Sequence, residues 1–232
     1  MKYRVLLSDA DNTLFDFDRG ERQAIRQTFQ SFGIPDTDEN SRLYARHNLR
    51  QWKRLEAGET TQDRLTVERF ETFLQEIDST ADAAAMSVFY ERLLMEQRFL
   101  MPGAPAFCRQ VSAAMPIYLV TNGIARVQHS RFDSSELRPY FTQILISEEV
   151  GFAKPDPRML WQALQLAGVQ PQQAVLLGDS VSADIQAARS AGIDSILLTA
   201  APDDTQGATY AVQTLEQAQR LILQDQPAAA GQ

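Results

Sequence analysis

Four short runs, YRVLLS at residues 3–8, IYLVT at 117–121, ILIS at 144–147 and AVLLG at 174–178, are rich in Val, Ile and Leu and lack a polar alternation. A strand that shows one face to water alternates, so runs of this kind belong to strands covered on both faces. Each is followed by turn residues and then by a helical period, the pattern of β-α units laid on a parallel sheet. Residues 195–199 (SILLT) make a fifth such run. The fold class is therefore α/β. In open sheets of this class ligands lie in the crevice beyond the carboxyl ends of the strands, so the functional residues are expected just after these runs.

Between the first run and the second the sequence changes character. Residues 17–100 carry amphipathic helical periods and no convincing strand. Gly33-Ile34-Pro35 separates one helix from the next, and Thr60-Thr61-Gln62-Asp63, after Gly58, starts another in the manner of a capping box. Pro102-Gly103-Ala104-Pro105 marks the return to the core. The expected organisation is a core of residues 1–16 and 101–225, an inserted helical unit of residues 17–100, and a frayed tail at 226–232.

A chain of 232 residues, 44% apolar and 22% charged, is long enough for such a core and its insert. Its formal charge of −8 argues against a nucleic-acid or membrane surface, where basic stripes are needed. An anionic substrate would need local compensation from a metal and a cation. The single cysteine, Cys108, excludes an intrachain disulfide and reads as a small core residue. No signal-like stretch precedes Asp9, and no window approaches the roughly 18 apolar residues of a membrane span. A cytoplasmic location is expected, with neither nucleic acid nor membrane as partner.

Directly behind the first run stand Asp9-Ala10-Asp11-Asn12-Thr13. In an extended segment Asp9 and Asp11 share one side while Ala10 faces the other. Two carboxylates held this close repel unless a cation lies between them or one keeps its proton. Mg2+ meets the first need, because this hard ion takes carboxylate, water and phosphate oxygens. Asp9 can then attack phosphorus, while Asp11 protonates the leaving oxygen and later deprotonates water. Taken alone, the pattern fits a turn or a helix N-cap equally well. A calcium loop fits poorly, since it wants Gly at its sixth position and Glu at its twelfth, where this chain has Leu14 and Gly20.

Three later segments bear on that choice. Thr121-Asn122-Gly123 ends the second run and offers a hydroxyl and amide donors to phosphate oxygens, although an Asn-Gly turn after a strand is also ordinary loop chemistry. Lys154 lies in a loop stiffened by Pro155 and Pro157 and reads either as an ordinary surface lysine or, in a chain with three lysines against nineteen arginines, as a position that needs a compact ammonium. Asp179 and Asp184 follow the fourth run in GDSVSAD. Asp179 can complete a magnesium site with Asp9, and Asp184 can ligate or orient. Helix capping explains one such acid more easily than two.

The four pieces D-x-D-x-T, T-N-G, K-P and G-D-x-x-x-x-D, in this order between residue 3 and about residue 200, resemble the haloacid dehalogenase-like hydrolase superfamily. The resemblance implies a Rossmann-like parallel-sheet core with a helical cap inserted after the first motif. It implies Asp9 as nucleophile and Asp11 as acid/base, with Thr121, Asn122 and Lys154 around the phosphate. It also implies Mg2+ held by Asp9, Asp179, Asp184 and the main-chain carbonyl of Asp11. Dehalogenases lack the second aspartate of the first motif, so Asp11 favours a phosphatase.

Residues 9–15 (DADNTLF) and 146–155 (ISEEVGFAKP) are similar to the noncanonical pyrimidine 5′-nucleotidase branch. That likeness implies Mg2+-dependent hydrolysis of nucleoside 5′-monophosphates such as dUMP, UMP and dTMP through an aspartyl-phosphate. Phe15, Phe17, Tyr44, His47 and Trp52 are candidates for base contacts, against the general tendency of helical aromatics to be core. The rival readings are a sugar-phosphate or other small-metabolite phosphatase resembling N-acylneuraminate-9-phosphatase, a phosphomutase, and a catalytically silent binding protein that keeps the fold.

Overall fold

Six strands, β1 (Val5–Ser8), β2 (Ile117–Thr121), β3 (Phe141–Ile146), β4 (Ala174–Gly178), β5 (Asp194–Leu198) and β6 (Tyr210–Val212), form one sheet in the order β3-β2-β1-β4-β5-β6. Every neighbouring pair is parallel. The computed structural model describes residues 2–224; Met1 and residues 225–232, which include the expected tail, lie outside them.

Ten α-helices accompany the sheet among the described residues: α1 (Phe17–Ser31), α2 (Asp38–Glu56), α3 (Gln62–Glu76), α4 (Ala83–Met95), α5 (Ala104–Ser112), α6 (Ala125–Asp133), α7 (Ser147–Val150), α8 (Arg158–Ala167), α9 (Gln186–Ala191) and α10 (Leu215–Leu223). The chain divides into two compact units, the first comprising the residues up to Asp16, Leu100–Ala125 and those from Phe132 on, the second Phe17–Phe99 with Arg126–Arg131.

In the sheet unit, strand parity sends side chains to two separate cores. Leu6, Ile117, Leu119, Val175, Leu177 and Ile196 share one face with Phe107, Cys108 and Val111 of α5 and Leu215, Ala218 and Ile222 of α10. Val5, Leu7, Tyr118, Val120, Leu145 and Leu176 share the other with Met159, Leu160 and Ala163 of α8 and Ala187, Ala188 and Ala191 of α9. Helices on both faces are the reason the runs do not alternate. β3 departs from the expected boundaries: it starts at Phe141, and Ser147 opens α7. β3 is an edge strand, so Thr142 and Gln143 stay exposed and weaken the apolar signal at its start. β6 was not expected at all, because three residues are too few for a readable period.

The helical unit is held by an aromatic cluster. Phe29 stacks on Phe73 with centroids 5.1 Å apart, and Tyr44 lies 5.2 Å from Phe70 and 5.8 Å from Tyr90. Side-chain caps define three of its helix starts: Thr37 accepts from Asn40 N–H, Thr61 from Arg64 N–H and Asp82 from Ala85 N–H. Arg69 is buried among the rings, 4.7 Å above the Tyr90 centroid, and its Nη1 donates to Asn48 Oδ1 at 3.3 Å. The middle of α6 packs with this unit through Arg126, whose Nε donates to the buried Glu91 Oε2 at 2.6 Å, and through Ser130, whose hydroxyl donates to Met95 O at 3.0 Å. Among the described residues no helix is long and apolar enough to cross a membrane.

Candidate active site

β1 and β4 are the neighbours between which the strand order reverses, and their register pairs Ser8 with Leu177. The crevice at such a reversal is where open α/β sheets bind ligands. Asp9 leaves β1 there, its N–H still donating to Leu177 O at 2.8 Å and its carbonyl accepting from Ser8 Oγ at 2.9 Å. Ala10 points back into the core, fully buried. The loop then closes on Ala10: Leu14 and Phe15 N–H both donate to Ala10 O at 2.9 Å, and Asn12 takes the left-handed conformation with φ 57°. Asparagine tolerates that region better than most residues. Thr13 is fully buried, with its hydroxyl 3.4 Å from Asp179 Oδ1.

Asp179 follows β4, and five residues later Asp184 returns to the same place. The return is made by a π-turn over Val181–Ile185, in which Ile185 N–H reaches Ser180 O at 3.2 Å. Ser180 caps this turn through Ala183 N–H at 3.2 Å, and its own N–H donates to Asp184 Oδ2 at 3.0 Å. π-turns of one turn's length recur at functional sites because they re-aim a side chain. Here the re-aimed group is a buried carboxylate.

Lys154 binds the pieces together. Its Nζ donates to Asp9 Oδ1 at 2.6 Å, to Asp184 Oδ1 at 2.6 Å and to Val120 O at 2.7 Å, which uses all three ammonium protons. Burial by itself would push this ammonium down, but the Asp184 and Asp9 carboxylates outweigh it, so Lys154 is held above its usual range and stays charged. Burial pushes Asp9 well above the ordinary carboxylate range; Lys154 opposes that, and Asp184, Asp179 and Asp11 add to it. Asp179 is pushed up to about 7, first by burial and then by Asp184.

One carboxylate oxygen from each of Asp9, Asp179 and Asp184 lies within 4.8 Å of the others, the one such acidic group among the described residues. Three carboxylates beside one ammonium leave negative charge uncompensated, which adds to the effect of burial in raising Asp179. The donor set, one hard carboxylate oxygen from each of three acids, fits a hard divalent cation such as Mg2+. The Asp11 carboxylate acts electrostatically on both Asp9 and Asp179, while the residue itself forms a bridge to Phe15.

Thr121 ends β2 with its side chain buried, its Oγ1 accepting from Gly123 N–H at 3.1 Å. The Asn122 side chain pairs with another peptide: its Nδ2 donates to Lys154 O at 2.7 Å and its Oδ1 accepts from Lys154 N–H at 2.8 Å. The amide is engaged at both ends by another peptide, so any role in holding phosphate passes to the main chain of this segment. No local sequence signal could reveal that partner, 32 residues away. Nor could it reveal the Val120 carbonyl, a main-chain group every residue carries.

Of the aromatic candidates, Phe15 is core, 4.8 Å from Phe132, and Tyr44 belongs to the helical unit's ring cluster. His47 Nε2 lies 2.8 Å from Glu76 Oε2. Phe17 and Trp52 remain partly exposed.

The sheet, the acidic crevice and the buried lysine define a hydrolase of a known kind: the chain matches the haloacid dehalogenase-like hydrolase family over residues 3–192 and belongs to it. It is similar to the HAD-hydrolase YfnB of Bacillus subtilis, whose magnesium-bound crystal structure superimposes with a TM-score of 0.90 at 31% identity, covering 96% of this chain and 99% of that one. It is 33% identical over 199 residues to the pyrimidine 5′-nucleotidase PynA of Streptococcus pneumoniae, covering 84% of each chain. With the pyrimidine 5′-nucleotidase YjjG of Escherichia coli it shares 29% identity over 201 residues, 86% of this chain and 88% of that one.

Proposed function

We propose that this hydrolase removes phosphate from pyrimidine nucleoside 5′-monophosphates, with Mg2+ in the acidic crevice and a covalent intermediate on Asp9. The observation that carries the reading is the Asp9 carboxylate beside the strand reversal, fixed through one oxygen by Lys154 and followed two residues later by Asp11. The relatives PynA and YjjG, pyrimidine 5′-nucleotidases by name, support the substrate class.

With Oδ1 held by Lys154, Asp9 attacks phosphorus through Oδ2. The P–O bond to the nucleoside breaks, and the departing 5′-oxygen takes the proton of Asp11. Asp11, now a carboxylate, removes a proton from a water that attacks the phosphorus of the aspartyl-phosphate. Inorganic phosphate leaves, and the Asp9 carboxylate is restored. Lys154 offsets charge on the transferring group throughout, and the Thr121 hydroxyl and neighbouring amides orient its oxygens. Asp9, Asp179, Asp184 and the Asp11 carbonyl would hold Mg2+, which supplies Lewis-acid stabilisation of phosphoryl charge when bound.

The test is phosphate release from dUMP, UMP and dTMP against a series of sugar phosphates, all with Mg2+. A kcat/KM at least about ten-fold higher on the pyrimidine nucleotides, a difference of about 1.4 kcal/mol in transition-state binding, is expected. A preference for a sugar phosphate would move the substrate to the small-metabolite class, and no release from any ester would sink the phosphatase reading.

A further inference from the structure

Lys154 is held at both ends by one short segment. Val120 O takes its ammonium at 2.7 Å, and two residues on, the Asn122 side chain pairs with both the N–H and the C=O of the Lys154 peptide, at 2.8 and 2.7 Å. Lys154 is 1% exposed, and its Nζ lies 2.6 Å from both Asp9 and Asp184. We propose that the Asn122 side chain is a positioning residue that clamps the Lys154 peptide, so that the ammonium stays registered on the Asp9 nucleophile.

The chemistry of asparagine makes the clamp specific. A carboxamide presents one donor and one acceptor side by side, the complement of a single residue's C=O and N–H. Aspartate offers no donor and would set a charged oxygen against the Lys154 carbonyl. Serine cannot span both groups, and alanine makes neither bond. The clamp matters because a lysine stem has four rotatable bonds, so an ammonium aimed only by its tip can shift with the loop that carries it. A misplacement on the order of 1 Å at a reacting centre can cost about 100-fold in rate. Held from β2, Lys154 is referred to the same sheet that carries Asp9, with β1 and β2 paired at Ser8 and Leu119. The catalytic consequence rests on the function proposed above; the clamp itself is a structural statement with its own readout.

The test uses the full chain with Asn122→Ala and Asn122→Asp. Steady-state kinetics on dUMP with Mg2+ give kcat and KM, and hydrogen exchange read by mass spectrometry follows the amides of Phe152, Ala153, Lys154 and Asp156 without substrate. Both variants are expected to lose about 10- to 100-fold in kcat with KM within about two-fold of wild type. In Asn122→Ala the Lys154 amide should exchange at least about ten-fold faster while the β1 and β2 amides keep their protection. A raised KM with unchanged kcat and unchanged exchange at Lys154 would overturn the proposal and return the side chain to the phosphate. Faster exchange throughout β1 and β2 would also overturn it, making Asn122 a general structural residue. Should the alanine variant not fold, Asn122→Asp carries the kinetic comparison, since it keeps the acceptor for Lys154 N–H and replaces the donor to the Lys154 carbonyl with a charged oxygen, and unchanged kcat in it would overturn the proposal. If the wild type hydrolyses no phosphate ester, the proposed function fails, and the exchange at Lys154 still decides the clamp.

Discussion

Gly178 and Asp184 are packed so closely that a Cβ on Gly178 would lie 2.4 Å from the carboxylate carbon of Asp184. Glycine stands at the end of β4 because the π-turn folds Asp184 back over it. Gly178→Ala is therefore expected to push Asp184 off Lys154, lowering turnover by about 10- to 100-fold and stability by about 1–3 kcal/mol. Thermal unfolding and steady-state rates check both. Wild-type values for the two would mean that Asp184 has room the structure does not show.

Asp11→Asn keeps the size of the side chain and removes its proton chemistry. Turnover of nucleoside monophosphates should fall by about 10²- to 10⁴-fold. On p-nitrophenyl phosphate, whose leaving group needs little protonation, the variant should release about one equivalent of p-nitrophenol in a burst and then slow, because water still lacks its base. Rapid-quench measurement separates the phases. An equal loss on both substrates with no burst would take the acid/base role away from Asp11.

Asp9, Asp179 and Asp184 gather more negative charge than Lys154 offsets, so a cation that binds there stabilises the fold by mass action. Mg2+ at 100 times its dissociation constant should add about 2.7 kcal/mol, seen as a rise in melting temperature. Asp179→Asn should abolish most of that rise, and EDTA should abolish activity of the wild type. An unchanged melting temperature together with full activity in EDTA would exclude the acidic crevice as a metal site.

Burial in α5 pushes the Cys108 thiol up to about 12. Its unfolded counterpart titrates near about 8.5, so the folded state keeps a proton the unfolded state has lost. The stabilisation is complete below the unfolded value and disappears as pH rises through about 12. At pH 8 a disulfide reagent such as DTNB should leave the native protein untouched and titrate one thiol per chain in denaturant. Fast labelling of the native state would show that α5 opens readily.

Much of this architecture was legible in the chain because it is written by near neighbours. The unbroken apolar runs at 117–121 and 174–178 correspond to β2 and β4 residue for residue, since coverage on both faces removes polar alternation wherever it occurs. β3 and β6 were harder: the start of β3 is exposed at an edge, and β6 has only three residues. The grouping of Arg126–Arg131 with the helical unit was invisible, because it depends on Glu91, 35 residues earlier, meeting Arg126.

Asp9 and Asp179 could be named from their places after strands, since a strand end is a local event, and Lys154 from its proline-stiffened loop. Their distances could not. That β1 and β4 are neighbours, and that Asp9 and Asp179 therefore leave adjacent strands, follows from sheet order, which depends on which layers of helices best cover each face and not on any one segment. The sequence by itself determined the fold class, the kinds of reactive group and the strand ends that carry them, because periodicity and turn chemistry act over a few residues. Only the tertiary structure decided that Lys154 would be buried between Asp9 and Asp184, and that the Asn122 amide would face a peptide. A buried charge or carboxamide must find its partners wherever packing brings them.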